Sequence, residues 1–317
     1  MKSFALLLLV TLAACARSAV PTPPEQPRSG PGGKQVVHAQ VIAELHGSGA
    51  RAYWLFEPAA PKPESAPLVV FNHGWGAMDP RAYRAWIDHI VQRGNIVVYP
   101  LYQDSLRTAP SAFTPNAIAA VQDSIRTLQA ETGHVKPQLE HFALVGHSMG
   151  GPISANMAAA WQAQGLPLPR ALMCVEPGKT WGRRAAIELA DLKQIPAETL
   201  LLTVVGDDDR LVRDIDAKRI FIESARVPLE NKSFITLLSD DHGRPALNAN
   251  HMAPVTWAGK TDALDYFGFW KLFDGLTDAA FFHTNRNFAL GNTPEQKFMG
   301  LWSDGVPVKP MRITDHP

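Results

Sequence analysis

The chain has 317 residues, 46% of them hydrophobic, with 30 acidic and 30 basic side chains. That length is enough for one large α/β domain or two small ones. A net charge near zero, with no basic run, argues against a nucleic-acid partner, and the body of the chain has no apolar stretch of about 20 residues that would span a membrane.

The N-terminus is patterned differently from the rest. Met1-Lys2 precedes an apolar core, Phe4 to Leu12, that ends in Leu12-Ala13-Ala14-Cys15. The core is too short to cross a bilayer and reads as a signal peptide over residues 1–14. Its end resembles the bacterial lipobox, which implies that Cys15 is lipidated and becomes the mature N-terminus. The expected location is the cell envelope, with the chain exported and anchored by lipid (outer membrane or periplasm if the source is Gram-negative). The other cysteine, Cys174, lies in the apolar run Ala171 to Val175 and reads as a packing residue. Residues 15–35 are rich in Pro, Gly and Ser and read as a tether. A single domain is expected over 36–317.

Within that domain Val36–Ala43 and Arg51–Phe56 read as an antiparallel edge pair. Leu68–Phe71 is a fully apolar strand that runs into Asn72-His73-Gly74-Trp75-Gly76. The spacing of Tyr83, Trp86, Ile87 and Ile90 predicts a helix over 80–93, ended by Gly94. Ile96–Tyr99 is the next strand, and Ile118, Val121, Ile125 and Leu128 predict a helix over 115–132. Phe142–Val145 reads as a buried strand, followed by a helix over 152–161. Further strands are expected around Leu172–Val175, Thr199–Val205 and Ser233–Leu238, with helices over 184–192 and 216–225. An aromatic-rich extension from about 252 predicts a helix over 262–274, with the extension expected to pack against the sheet and a roof over the pocket as the alternative. Alternating strands and helices of these lengths imply an α/β fold with a mostly parallel central sheet and helices on both faces.

Between the strand at Phe142 and its following helix lies Gly146-His147-Ser148-Met149-Gly150-Gly151. A Gly-x-Ser-x-Gly between strand and helix is the pattern of a nucleophile elbow, where glycines permit a turn too tight for Cβ atoms. With the His-Gly loop after the third strand and the elbow after the fifth, the chain resembles the α/β-hydrolase family over roughly residues 36–250. The short connection from Val175 to Thr199 implies no large lid insertion.

The resemblance implies a set of site residues. Ser148 is the expected nucleophile. Its oxyanion donors are the backbone N–H groups of Met149, at the start of the helix, and of Trp75 in Asn72-His73-Gly74-Trp75-Gly76. His73 is expected to hold that loop, and His147 to pack beside the elbow. In Gly206-Asp207-Asp208-Asp209-Arg210-Leu211-Val212 the family spacing selects Asp209 as the acid, with Glu176 as the alternative. His242, a few residues past the last strand, is the expected base, and His251 is the alternative. Trp75, Trp181 and Trp257 suggest an apolar pocket. The sequence has no metal or phosphate-binding motif, so cofactor-free chemistry is expected. The implied activity is hydrolysis of carboxylic esters through an acyl-enzyme on Ser148, with small, lipid or polymer esters as substrates. An acyltransferase, an amidase or peptidase, or a non-catalytic binding lipoprotein are the alternatives.

Overall fold

The computed structural model describes residues 20–178, 186–257 and 260–317. Among the described residues nine strands form one sheet, in the order β1-β2-β4-β3-β5-β6-β7-β8-β9. They are β1 (Gln40–His46), β2 (Tyr53–Ala59), β3 (Ser65–Asn72), β4 (Ile96–Pro100), β5 (Lys136–His147), β6 (Pro169–Val175), β7 (Leu200–Gly206), β8 (Lys232–Leu237) and β9 (Arg312–Thr314). The block from β4 to β8 is parallel, β2 and β9 run against it at its two sides, and β1 pairs antiparallel with β2 at the outer edge. This is the expected α/β architecture.

The sheet is buried on both faces because its strands alternate between two apolar clusters. On β3, Val69 and Phe71 face one cluster and Leu68 and Val70 the other. The first cluster takes in α1 (Arg84–Gln92) and the C-terminal helical segment, a π-helical stretch over Leu264–Trp270 that continues as α5 (Lys271–Phe282). The second takes in α2 (Phe113–Ala130) and α3 (Gly150–Ala160). The aromatic extension therefore packs on the sheet, as its composition suggests, and its helix runs well past Asp274. Helix α4 (Ile215–Glu223) packs beside β7 and β8, with Phe221 edge-on to Phe234.

Several sequence expectations are corrected. Residues 20–35 are not a loose tether. Pro21 accepts a hydrogen bond from Arg244 N–H, Thr22 from Ser303 N–H, and Gly32 donates to Asp274 Oδ2 at 2.7 Å. The buried Asp274 also binds His89 Nε2 at 2.8 Å and Arg93 Nε at 3.2 Å, so this stretch is a strap fastened across α1 and α5. Of the helix expected over 184–192, residues 184–185 lie outside the described residues and 186–191 form no helix. Asn156 on α3 holds this stretch, donating to Glu188 C=O and accepting from Ala190 N–H at 2.8 Å each. Strand β5 is 12 residues long, longer than its apolar core suggests, because the polar half at Lys136–Gln138 also pairs with β3. Strand β9 carries no apolar run and was not expected.

The strand order locates the site. From β3 the chain moves to β4 on one side and later to β5 on the other. Ligand crevices of open α/β sheets open at the carboxyl ends of strands where the winding reverses in this way. The loops there are those after β3 and β5, which carry Gly74–Gly76 and Ser148.

Candidate active site

The elbow is built by close backbone approach. A Cβ on Gly146 would lie 2.1 Å from Gly150 O, and one on Gly150 would lie 1.9 Å from Asn72 O. Only glycine fits at either place. Between them Ser148 takes φ +54°, a left-handed conformation that non-glycine residues adopt at a cost. The strain is held from several sides. Ser148 N–H donates to Val175 O at 3.0 Å, and Ser148 O accepts from Gly151 N–H and Gly178 N–H. Ser148 is 4% exposed, at the bottom of a cleft.

Three side chains meet there. Ser148 Oγ lies 2.9 Å from His251 Nε2, and His251 Nδ1 lies 2.9 Å from Asp209 Oδ2. Asp209 is a carboxylate acceptor, so His251 carries its proton on Nδ1 and Nε2 accepts from the serine hydroxyl. Asp209 Oδ1 accepts from Leu211 N–H and Val212 N–H at 2.9 and 3.1 Å. Burial opposes ionisation of Asp209, but the His251 bond and these N–H groups outweigh it and hold the carboxyl below its ordinary value. The three consecutive acids serve different ends. Asp207 accepts from Ser239 N–H and Oγ and staples the β7 and β8 loops together, whereas Asp208 pairs with Arg210 at the surface.

His242 does not belong to this group, and the expectation that it faces Ser148 is corrected. Its Nε2 pairs with Asp304 at 2.8 Å, and about a third of its side chain is exposed. The reason is the path of the chain after β8. Asp240 and Leu247 exchange backbone hydrogen bonds, which close a surface loop with His242 inside it. Only past that loop does the chain return to the end of β7, where Ala249 O accepts from Asp208 N–H at 3.0 Å. A Cβ on Gly206 would lie 2.1 Å from Ala249 O. The glycine at the end of β7 thus admits the segment that delivers His251, and it was the sequence signal that could have favoured this histidine.

Two further residues organise the cleft. Gly74 N–H donates to Tyr83 Oη at 3.0 Å, Tyr83 Oη lies 2.7 Å from His147 Nδ1, and His147 Nε2 lies 2.9 Å from His251 O. The carbonyl can only accept, so His147 carries its proton on Nε2 and Tyr83 donates to Nδ1. Burial, with the neighbouring His251, pushes His147 down to about 3, which keeps it neutral. His147 therefore packs beside the elbow as expected, but it also ties the loop after β3 to the backbone of His251. Tyr83, which reads in the sequence as one more aromatic on a helix face, is the other half of that tie.

The loop after β3 is fixed on both sides of Trp75. Gly74 N–H is bound to Tyr83, Gly76 N–H donates to Gln103 Oε1 at 2.9 Å, and Ala77 N–H closes a turn on Gly74 O. His73 lies between the carbonyls of Gly74 and Leu101 and stacks on Tyr102 with centroids 4.1 Å apart. Burial lowers it to about 4. Met149 is the residue before the first turn of α3, where helix N–H groups have no intrahelical acceptor.

Glu176, the alternative acid, directly follows β6 with φ +44°. It is fully buried, and neither carboxylate oxygen has a hydrogen-bond partner among the described residues. Its Oε2 lies 3.8 Å from His251 Nδ1, against 2.9 Å for Asp209, so Asp209 holds the imidazole. Burial, and then the charge of Asp209, raise the Glu176 carboxyl well above its ordinary value. A cavity of about 220 Å³ opens over Ser148, lined by Trp75, Ala82, Val255 and the half-exposed Met252 and Trp257. Trp181 lies outside the described residues.

Residues 69–211, spanning β3 to the loop after β7, match the family model of the alpha/beta hydrolase fold. Together with the sheet order, the match gives the chain the α/β-hydrolase fold. No curated protein matches it significantly.

Proposed function

We propose that the protein is a serine hydrolase of carboxylic esters. The observation that carries this reading is the unbroken relay from Asp209 through His251 to Ser148, with both links at 2.9 Å. Ser148 Oγ attacks the ester carbonyl as His251 Nε2 takes its proton. The backbone N–H groups of Met149 and Trp75 stabilise the tetrahedral oxyanion. His251 then protonates the leaving alcohol, and the acyl group remains on Ser148. Water enters and attacks the acyl carbonyl as His251 takes its proton; His251 then returns that proton to Ser148 Oγ as the acyl bond breaks, releasing the acid and restoring the enzyme. Asp209 stays ionised throughout and supports the imidazolium in each half-reaction. The apolar cavity beside Trp75 accommodates the acyl group. Supporting this reading are the elbow strain at Ser148 and the depressed Asp209 carboxyl.

The same proposal places the enzyme in the bacterial cell envelope, exported by residues 1–14 and anchored through lipid on Cys15. The Leu12-Ala13-Ala14-Cys15 motif supports this. A palmitate analogue fed to cells should label the protein and fail to label Cys15→Ala.

A fluorophosphonate probe tests the chemistry. It should modify the folded protein once, on the peptide containing Ser148, and Ser148→Ala should abolish labelling. Folded protein that resists the probe would overturn the proposal.

A further inference from the structure

A second cluster of titratable side chains lies at the β1 edge of the sheet. His46 ends β1, and His134 sits in the turn between α2 and β5. The sequence separates them widely, so no spacing motif announces them. The fold brings ligand atoms of Glu44, His46 and His134 within 4.8 Å of one another. Glu44 Oε2 lies 3.6 Å from His46 Nε2, and Glu131 Oε2 lies 3.6 Å from His134 Nε2.

Three features separate this cluster from ordinary surface ion pairs. His134 is oriented from behind, since its Nδ1 lies 2.7 Å from the carboxylate of Glu57, which is 3% exposed. A carboxylate on one imidazole nitrogen fixes the ring and aims the other nitrogen outward, as behind metal-bound histidines. On His46, Nε2 is buried without a hydrogen-bond partner among the described residues, a costly arrangement that a ligand there would relieve. The His46 ring is itself held by stacking on Tyr53, with centroids 5.4 Å apart. Finally, the two imidazoles stand edge to face with centroids 5.9 Å apart. Two imidazoles on one tetrahedral ion, each bound at about 2.0–2.1 Å, have centroids roughly 5 Å apart, and neighbouring donor atoms are then roughly 3.3 Å apart. The 3.6 Å separations are close to that spacing.

We propose that Glu44, His46 and His134, closed by Glu131, form a site for a zinc-class divalent cation. Mixed imidazole and carboxylate donors suit zinc, cobalt or nickel, whereas calcium and magnesium favour all-oxygen sets. Glu44 and Glu131 are exposed, so both carboxylates are free to swing onto the ion while the histidines stay fixed. The ion clamps the end of β1 to the turn after α2 and takes no part in the chemistry at Ser148. Its contribution is to hold the edge of the sheet.

Zinc titration by calorimetry tests the site, on untagged, chelator-treated protein. Cobalt serves as a spectroscopic probe, because a tetrahedral site gives an intense visible band. The variants are His46→Ala and the pair Glu44→Gln/Glu131→Gln, neither of which disturbs the His134–Glu57 contact. Melting curves in chelator should match wild type and show that both fold. The expected result is one equivalent of zinc, a tetrahedral cobalt spectrum, and affinity reduced at least about tenfold in both variants. Absence of one-equivalent binding to wild type, or wild-type affinity in either variant, would overturn the proposal. Ester hydrolysis in chelator should be unchanged in the variants, which keeps this test separate from that of Ser148.

Discussion

Glu176 offers a prediction that depends on the detailed electrostatics of the site. Its carboxyl is wholly buried, has no hydrogen-bond partner among the described residues, and lies near Asp209, so it holds its proton in the folded chain well above the ordinary carboxylate range. In the unfolded chain the same group releases its proton at the ordinary value. Over the interval between the two values the folded state binds one more proton than the unfolded state. Raising the pH through that interval therefore destabilises the fold, by up to about 1.4 kcal/mol per pH unit. Glu176→Gln keeps the shape and removes the titration. Its amide adds a constant offset from its own unsatisfied donors but no slope. The difference in unfolding free energy between variant and wild type should thus move in favour of the variant as the pH rises above the ordinary carboxylate range, with a slope of at most about 1.4 kcal/mol per pH unit. Urea unfolding of both proteins at a series of pH values measures it, with equal m-values showing that the midpoints are comparable. A difference that stays flat with pH would refute the reasoning, since it would mean that Glu176 is ionised inside the fold.

Three other expectations follow from the same geometry. Gly150→Ala would push a methyl to 1.9 Å from Asn72 O, so the elbow must open; ester hydrolysis should fall by at least about 10²-fold, and unchanged rates would refute the packing argument. Tyr83→Phe removes the hydroxyl that accepts from Gly74 and donates to His147. We expect a loss of roughly tenfold in kcat with KM little changed, since the loop after β3 loses its tie but the relay to Ser148 remains. Asp274→Asn breaks the buried contact of the N-terminal strap with His89 and Arg93 and should cost about 3–5 kcal/mol of stability at neutral pH, read by urea unfolding. The pairing holds Asp274 below its ordinary value despite burial, so the effect should shrink as pH falls through the carboxylate range.

What could be read from the chain was mostly local. The buried strands show as short apolar runs because both sheet faces are covered, and the elbow shows because its glycines are imposed by contacts within a few residues of Ser148 and with the adjacent strand. Asp209 could be picked from three neighbouring acids only through the resemblance, whose spacing after the strand selects it; in the structure it is the one of the three that reaches His251. The histidine was different. His242 and His251 both follow β8, and the choice depends on a surface loop closed by Asp240 and Leu247, then on the close approach of Ala249 to Gly206. No local periodicity encodes such an approach. The strap failed for a related reason. Its proline and glycine content matches that of a linker, and what orders residues 20–35 is a carboxylate on a helix far along the chain, Asp274. Tyr83 and His147 read as packing residues because their hydrogen bonds join four separate segments.

The proposed chemistry turns on which histidine takes the proton of Ser148, and one comparison tests it directly. His251→Ala and His242→Ala should be assayed side by side for hydrolysis of a short p-nitrophenyl ester, with both shown to fold. His251 accepts from Ser148 at 2.9 Å, whereas His242 pairs with Asp304 in a surface loop. His251→Ala should lose about 10⁴-fold or more in kcat while His242→Ala stays within a few-fold of wild type. Full activity in His251→Ala, with loss in His242→Ala, would contradict the assignment of His251 as the base.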